Sequence, residues 1–209
     1  CRPELSGVHL VGFFEKLPIV SASSTIVDMN EAFKIQELAL PGVLLLTPRV
    51  LRDSRGFFVE TYNERTLAPF GIRDRFVQDS LSHSAKGVLR GLHMQRAPHG
   101  QIKLVRCAAG EIFDVAADCD PNSKTYGKHT ATRLKSKEAT MLYIPAKYHH
   151  GFCVISEEAT VEYKVGDFYA PESATGIRFD DPVLNIPWPV TDPILSDQDK
   201  SWPFLHGKK

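Results

Sequence analysis

The chain has 209 residues, 43% of them hydrophobic, enough to bury a full core in one large domain or one domain with an appendage. Lysine plus arginine and aspartate plus glutamate balance at 25 each; this excludes the net positive field of a nucleic-acid surface, so an anionic ligand has to be held by a local cluster. Apolar runs such as residues 41–46 are too short to cross a bilayer, and the start of the chain lacks the charged-then-apolar layout of a signal peptide, so a soluble, cytoplasmic protein with no nucleic-acid or membrane partner is expected.

Residues 1–40 read as an N-terminal extension of unsettled order, with a serine-rich linker at Ser21–Thr25 and a segment, Asp28–Leu38, that fits a brief helix or a strand equally well. From 41 to 209 the texture is that of a single all-β domain. Val43–Val50 and Phe57–Tyr62 read as strands, and Asn63–Phe70 as a short helix with Asn63 as N-cap and Gly71 as its stop. Further strands are expected at Lys103–Cys107, Glu111–Ala117, Thr130–Leu134, Met141–Ile144, Gly151–Ile155 and Thr160–Val165. Turn residues at Ala109-Gly110, Asp120–Ser123, Lys135–Glu138 and Ser156–Glu158 cut the series at regular intervals, the rhythm of a β-sandwich, jelly roll or barrel. Four cysteines, Cys1, Cys107, Cys119 and Cys153, show no CxxC spacing and read as small buried hydrophobes in a reducing compartment.

The chemistry concentrates around His93 in Gly87-Val88-Leu89-Arg90-Gly91-Leu92-His93-Met94-Gln95. It stands near Arg90, follows the polar run Gln78–Ser84 and precedes Lys103. A base, a fixed cation and an ammonium group within one stretch point to reaction on an anionic substrate.

From Pro41 onward the chain resembles the dTDP-4-dehydrorhamnose 3,5-epimerase family, the RmlC-like cupins. The motifs that carry the resemblance occur in the family's order: Asp53–Glu60, Phe76–Asp79, Val88–His93, Gln101–Arg106, Gly110–Ala116, Tyr143-Ile144-Pro145 with His150-Gly151-Phe152, Glu162-Tyr163-Lys164, Asp181-Pro182 with Ile186–Pro189, and Leu195-Ser196 with Asp199. The resemblance implies a double-stranded β-helix jelly roll with a few short helices, a homodimer that exchanges an N-terminal strand, and a site inside the barrel. It implies an epimerase acting on a nucleoside-diphosphate 4-keto-6-deoxyhexose, with no cofactor and no metal. The C3 and C5 protons of such a sugar flank the C4 ketone. Epimerisation therefore needs a base, a cation or donor for the enolate oxygen, and an acid on the opposite face. The resemblance assigns these roles to His93, Lys103 and Tyr163, with Asp199 holding the other ring nitrogen of His93. Arg55 and Arg90 suit the diphosphate because guanidinium binds phosphate oxygens bidentately. Gln78 is implied near the nucleotide, Phe58 and Tyr169 as packing partners of its base, and His150 as a contact to the sugar. Arg55, Phe58 and Glu60 are expected to act across the dimer interface.

Each assignment has a structural alternative. Tyr163 alternates with Val161 and also suits a core aromatic with a satisfied hydroxyl, Lys103 a solvated strand-edge lysine, Asp199 a helix cap, and Arg55 and Arg90 surface ion pairs. Ser80, Met94, Ala174 and Phe179 depart from the family pattern, which leaves open the sugar, the nucleotide base and whether C3, C5 or both react. Two competing classes are a metal-dependent cupin (oxygenase or isomerase) and a non-catalytic sugar-nucleotide-binding module. The first calls for paired histidines one residue apart, where this chain has His93-Met94-Gln95. The second would have lost the base or the acid.

Overall fold

The computed structural model describes residues 32–205 and the strand Thr25–Met29; Cys1 and nearly all of the expected serine-rich linker lie outside the described residues. Strands β1 (Thr25–Met29) and β2 (Phe33–Glu37) pair antiparallel, so the segment that fitted helix or strand is strand over 28–29 and 33–37. In β2 the cause is visible in the alternation: Phe33 and Ile35 are buried while Lys34 between them is exposed. β2 pairs in turn with β3 (Leu44–Pro48).

The run 43–50 is two strands rather than one. β3 ends at Pro48, which has no N–H to extend a ladder, and β4 (Val50–Asp53) leaves to pair with β5 (Gly56–Val59) as a separate hairpin. The expected helix forms as α1 (Glu64–Leu67) continued by a 3-10 turn over Ala68–Phe70. Asn63 Oδ1 accepts from the N–H groups of Arg65 and Thr66, and Gly71 closes the segment at φ +86°.

The remaining strands are β6 (Gln78–Ala85), β7 (Leu89–Gln95), β8 (Lys103–Ala109), β9 (Glu111–Ala117), β10 (His129–Lys135), β11 (Met141–Ile144), β12 (His149–Val154), β13 (Glu158–Val165) and β14 (Ala174–Gly176). A short helix, α2 (Asp197–Ser201), lies near the end of the described chain. The strands form two main sheets, ordered β1-β2-β3-β11-β8-β13-β6 and β10-β9-β12-β7-β14, and their ladders are antiparallel. From β6 to β14 the chain crosses from one main sheet to the other at every step except β9–β10, which is the jelly-roll arrangement. The polar run 78–84 proves to be a full strand at the end of the larger sheet, although its serines carry little strand propensity.

Three apolar clusters follow from the alternation. Val105, Cys107, Ile112, Ala116, Phe152, Val154 and Val161 meet between the sheets. Phe33, Ile35, Leu46, Leu104 and Met141 pack with Leu67 and Ile72 of the α1 region. Leu92, Val115 and Ala117 pack with Ile177, Leu184 and Ile186 of the C-terminal segment. Buried side chains of this size contribute roughly 1.5–3 kcal/mol each, which sets the inward and outward faces of every strand. Cys107 and Cys153 are buried free thiols, as expected, while Cys119 is half-buried.

Where β7 meets β12 the backbones approach so closely that both strands need glycine. A Cβ at Gly91, whose φ is +131°, would lie 2.5 Å from Gly151 Cα, and one at Gly151 would lie 2.8 Å from the Arg90 carbonyl oxygen. The approach brings His93 opposite His150 in the ladder.

Candidate active site

The site is built from the ends of facing strands. On β7, His93 is half-buried and its Nε2 is hydrogen-bonded to Asp199 Oδ1. Asp199 is buried on α2, where Ser196 caps the helix: the Asp199 N–H donates to Ser196 Oγ (3.0 Å), and that hydroxyl donates back to Asp199 Oδ2 (2.8 Å). Asp199 thus belongs to the helix cap and also grips the imidazole. Burial raises its pKa, but the hydrogen bonds from His93, Ser196 and the Gly91 backbone outweigh that, and the net shift is downward. A carboxylate kept ionised beside a ring N–H fixes the tautomer and the orientation of the imidazole. Trp202 stands edge-on to His93, with ring centroids 6.1 Å apart.

Across the ladder His150 is 5% exposed, and its Nε2 meets both oxygens of the fully buried Asp114 at 3.0 and 3.1 Å. The His150 ring contacts Tyr163 of β13 at 6.3 Å between centroids, and Phe152 contacts the same tyrosine at 6.4 Å. Tyr163 packs against the inter-sheet core, its hydroxyl hydrogen-bonded to Ser82 Oγ at 3.1 Å. Burial pushes its pKa well above the usual phenol range, so it holds its proton through neutral pH.

Lys103 opens β8, a central strand between β11 and β13 and therefore not a strand edge. It shares a strand face with Val105 and Cys107, which point between the sheets. Burial lowers its pKa to about 8, and its amine donates to the Gln101 carbonyl at 3.3 Å. His149 lies on the opposite strand face from His150; burial, with Lys103, His93 and Arg96 around it, lowers its pKa to about 4 and keeps it neutral.

Arg90 Nε donates to Ser84 Oγ (3.1 Å), and its charge is felt by Tyr163. Gln78 Oε1 accepts from the Tyr169 N–H (3.3 Å), while Gln95 holds the same loop through the Phe168 carbonyl and the Ala170 N–H. Tyr169 is left with an exposed ring beside Gln78.

The structure therefore brings His93, Asp199, His150, Tyr163, Lys103 and Arg90 to one barrel, with Gln78 and Tyr169 at its margin. The other three expected residues stand elsewhere. Arg55 and Phe58 occupy the β4–β5 hairpin, 89% and 69% exposed, with Arg55 paired to Asp53 at 2.6 Å. The hairpin touches the barrel through Arg52, which donates to the Lys137 carbonyl in the β10–β11 turn. Glu60 binds Asn63 Nδ2 (3.0 Å) and Thr66 Oγ1 (3.4 Å) beside α1.

Sequence reasoning gave no role to Asp114, Ser82 or Gln95. A signal for the first two was present. Asp114 sits at an inward strand position between Ile112 and Ala116, and Ser82 belongs to a polar period-two series, Gln78-Ser80-Ser82-Ser84. The histidines do not converge as metal ligands: the Nε2 atoms of His93 and His150 are each engaged by a carboxylate. Among the described residues no group of three or more His, Cys, Asp or Glu side chains is arranged to hold an ion.

A jelly roll carrying an aspartate-held imidazole, a phenol and an ammonium group within one barrel defines a class of enzyme that moves protons on carbon. Comparison with known proteins makes the class specific. Residues 37–207 match the dTDP-4-dehydrorhamnose 3,5-epimerase family, and the chain belongs to that family. It is 47% identical over 171 residues to a dTDP-4-dehydrorhamnose 3,5-epimerase of Shigella flexneri, covering 81% of this chain and 92% of the relative. A crystal structure of dTDP-6-deoxy-D-glucose-3,5-epimerase from Legionella pneumophila, in complex with dTDP-4-keto-L-rhamnose, superimposes with a TM-score of 0.79 at 40% identity, covering 83% of this chain and 93% of that one. A dTDP-4-dehydrorhamnose 3-epimerase of Streptomyces niveus is 38% identical over 168 residues, covering 80% of this chain and 81% of the relative. The expected family and cupin-like jelly roll are thus observed, and the chain is an isomerase of the epimerase type.

Proposed function

We propose that this chain epimerises a nucleoside-diphosphate 4-keto-6-deoxyhexose of the dTDP-4-dehydro-6-deoxyglucose type, at C3, C5 or both, as a step of deoxysugar biosynthesis. The observation that carries the reading is the pairing of two unlike proton carriers in one barrel. His93, bound to ionised Asp199, is fit to receive a proton. Tyr163, held protonated by burial, is fit to give one. In the proposed mechanism neutral His93 takes the proton from the carbon beside the ketone, breaking the C–H bond and placing its electrons on O4. Lys103 offers positive charge to that enolate oxygen. Tyr163 then delivers its proton to the opposite face of the carbon, forming the new C–H bond with inverted configuration. His93 returns its proton to water and Tyr163 regains one from water. No redox step occurs and no cofactor enters the cycle.

Arg90 and His150 are proposed to bind the diphosphate and the sugar, with Gln78 and Tyr169 receiving the nucleotide base. Arg55, Phe58 and Glu60 are proposed to serve the site of a second protomer in a homodimer that exchanges its N-terminal strand. The exposure of Arg55 and Phe58 on the β4–β5 hairpin, and the hollow of about 350 Å³ lined by Leu104, Met141 and Leu81 on the larger sheet, support that arrangement. Residues 41–209 are then the catalytic domain, and the extension, residues 1–40, joins its larger sheet through β1 and β2. The free thiols of Cys107 and Cys153 support a cytoplasmic setting.

Incubation with dTDP-4-keto-6-deoxyglucose in deuterated water, followed by NMR at C3 and C5, tests the reading. Deuterium entry with inversion at one or both carbons is expected; absence of exchange at both would overturn it.

A further inference from the structure

Strand β6 presents Gln78, Ser80, Ser82 and Ser84 on one face, and this polar series runs beside β13 in register: Ser82 is opposite Val161 and Ser80 opposite Tyr163. The Tyr163 hydroxyl reaches past its direct partner Ser80 to the diagonal one, Ser82, at 3.1 Å, a distance within the normal range for two hydroxyls. Ser80 is taken by Gln78 Nε2 (3.1 Å) and Ser84 by Arg90 Nε (3.1 Å). Each hydroxyl of the series thus has its own partner, and the half-buried Ser82 is reserved for the phenol. His83 lies between them in sequence but on the other strand face, where it meets Thr160 at 3.1 Å.

We propose that Ser82 is the positioning residue of the acid: it fixes the Tyr163 phenol and donates its own proton as a hydrogen bond to the phenolate left behind when Tyr163 protonates the carbon. This rests on the reading of Tyr163 as the acid. A buried phenol that gives up its proton becomes an anion poor in solvent, with Phe152 on one side, the carboxylate of Asp114 opposing the charge and the more distant Arg90 favouring it without a hydrogen bond to the phenol. Such an anion is costly unless a donor faces it. Ser82 Oγ stands in place to do so, and a hydroxyl suits both stages, accepting from the phenol before transfer and donating to the phenolate after it. Burial raises the Tyr163 pKa while the Ser82 hydrogen bond pulls it down. No proton leaves Ser82; the phenolate is neutralised by water after product release.

The test compares Ser82→Ala, Ser82→Cys and Ser82→Thr with Tyr163→Phe, on the same substrate in deuterated water. Ser82→Ala is expected to keep deuterium exchange within about twofold of wild type, leave KM unchanged, and cut the share of exchange events that end in inverted product about tenfold, as befits one lost hydrogen bond to an anion. Ser82→Thr, which keeps the hydroxyl, is expected to restore the partition; Ser82→Cys, of nearly the same volume but a weak donor, is expected to resemble alanine. A packing role would reverse these last two. Should Tyr163→Phe lose inversion while Ser82→Ala partitions like wild type, or loses exchange and inversion in equal measure, Ser82 is not the positioning residue and the acid role of Tyr163 stands. Wild-type inversion by Tyr163→Phe would instead remove the acid role itself, and the proposal for Ser82 with it.

Discussion

The barrel interior and the β4–β5 hairpin carry residues from the same family motifs, yet the fold treats them in opposite ways. Inside the barrel the polar groups are already committed, His93 to Asp199, His150 to Asp114 and Tyr163 to Ser82, and the exposed Arg90 is held by Ser84. On the hairpin Arg55 pairs with its neighbour Asp53, and Phe57 and Phe58 lie open to solvent. The contrast separates two physical tasks. Proton transfer needs groups held at set positions before the substrate arrives, which packing within the chain achieves. Exposed aromatics contribute little to the fold and become useful when another surface or a ligand covers them.

The largest expected effect is at the base. His93→Asn should reduce solvent exchange beside the ketone by roughly 10²–10⁴-fold while the folded variant still binds dTDP, measured by NMR exchange and calorimetry. Exchange at the wild-type rate would remove His93 from the base role.

Gly91→Ala tests whether the barrel set depends on the close approach of β7 and β12. With a Cβ only 2.5 Å from Gly151 Cα and a positive φ, the variant should lose about 2–4 kcal/mol of stability by denaturant unfolding. A change under about 0.5 kcal/mol, the range of ordinary surface substitutions, would mean that the two strands can part without cost.

Charge on Lys103 should mark the basic limb of activity. Burial lowers its pKa, so the ammonium form is lost as pH rises through about 8, and turnover should fall above that point. Lys103→Met should lower turnover across the whole pH range by roughly tenfold or more, through loss of the cation at the enolate oxygen. A limb at pH 8 that survives in Lys103→Met would belong to another group.

The smallest effect on stability should come from the hairpin. Arg55→Ala and Phe58→Ala should each change unfolding free energy by less than about 0.5 kcal/mol, because both side chains are solvated. If the hairpin completes a second protomer's site, KM should nevertheless rise about tenfold while deuterium exchange at saturating substrate is retained. An unchanged KM would leave the barrel interior as the whole of the site.

Much of the architecture could be read in the residues themselves. The strands Glu111–Ala117 and Met141–Ile144 and the capped helix after Asn63 lie where alternation and turn chemistry place them, because those signals are local. The breaks at Ala109-Gly110 and Lys135–Glu138 are likewise turns. Motif order pointed to the family and the jelly roll, with which the comparisons agree. Other features needed long-range contact. The serine-rich strand β6 has little intrinsic tendency to extend and is held as strand by pairing with β13, whose residues lie about eighty positions away. The division of 43–50 into two strands depends on where β4 finds its partner, and Asp28–Leu38 became strand because β2 found the core of β3. At the site, residue types announced a base and cations, but the grip of Asp114 on His150 and of Ser82 on Tyr163 joins strands distant in sequence. Likewise, Arg55 and Phe58 stand apart from the interior of their own barrel because they lie on the β4–β5 hairpin, and Glu60 because it is bound beside α1. Local patterning determines which face of each strand is buried; only closure of the two sheets decides which inward polar groups meet, since those pairings gain their energy from one another and not from their neighbours in the chain.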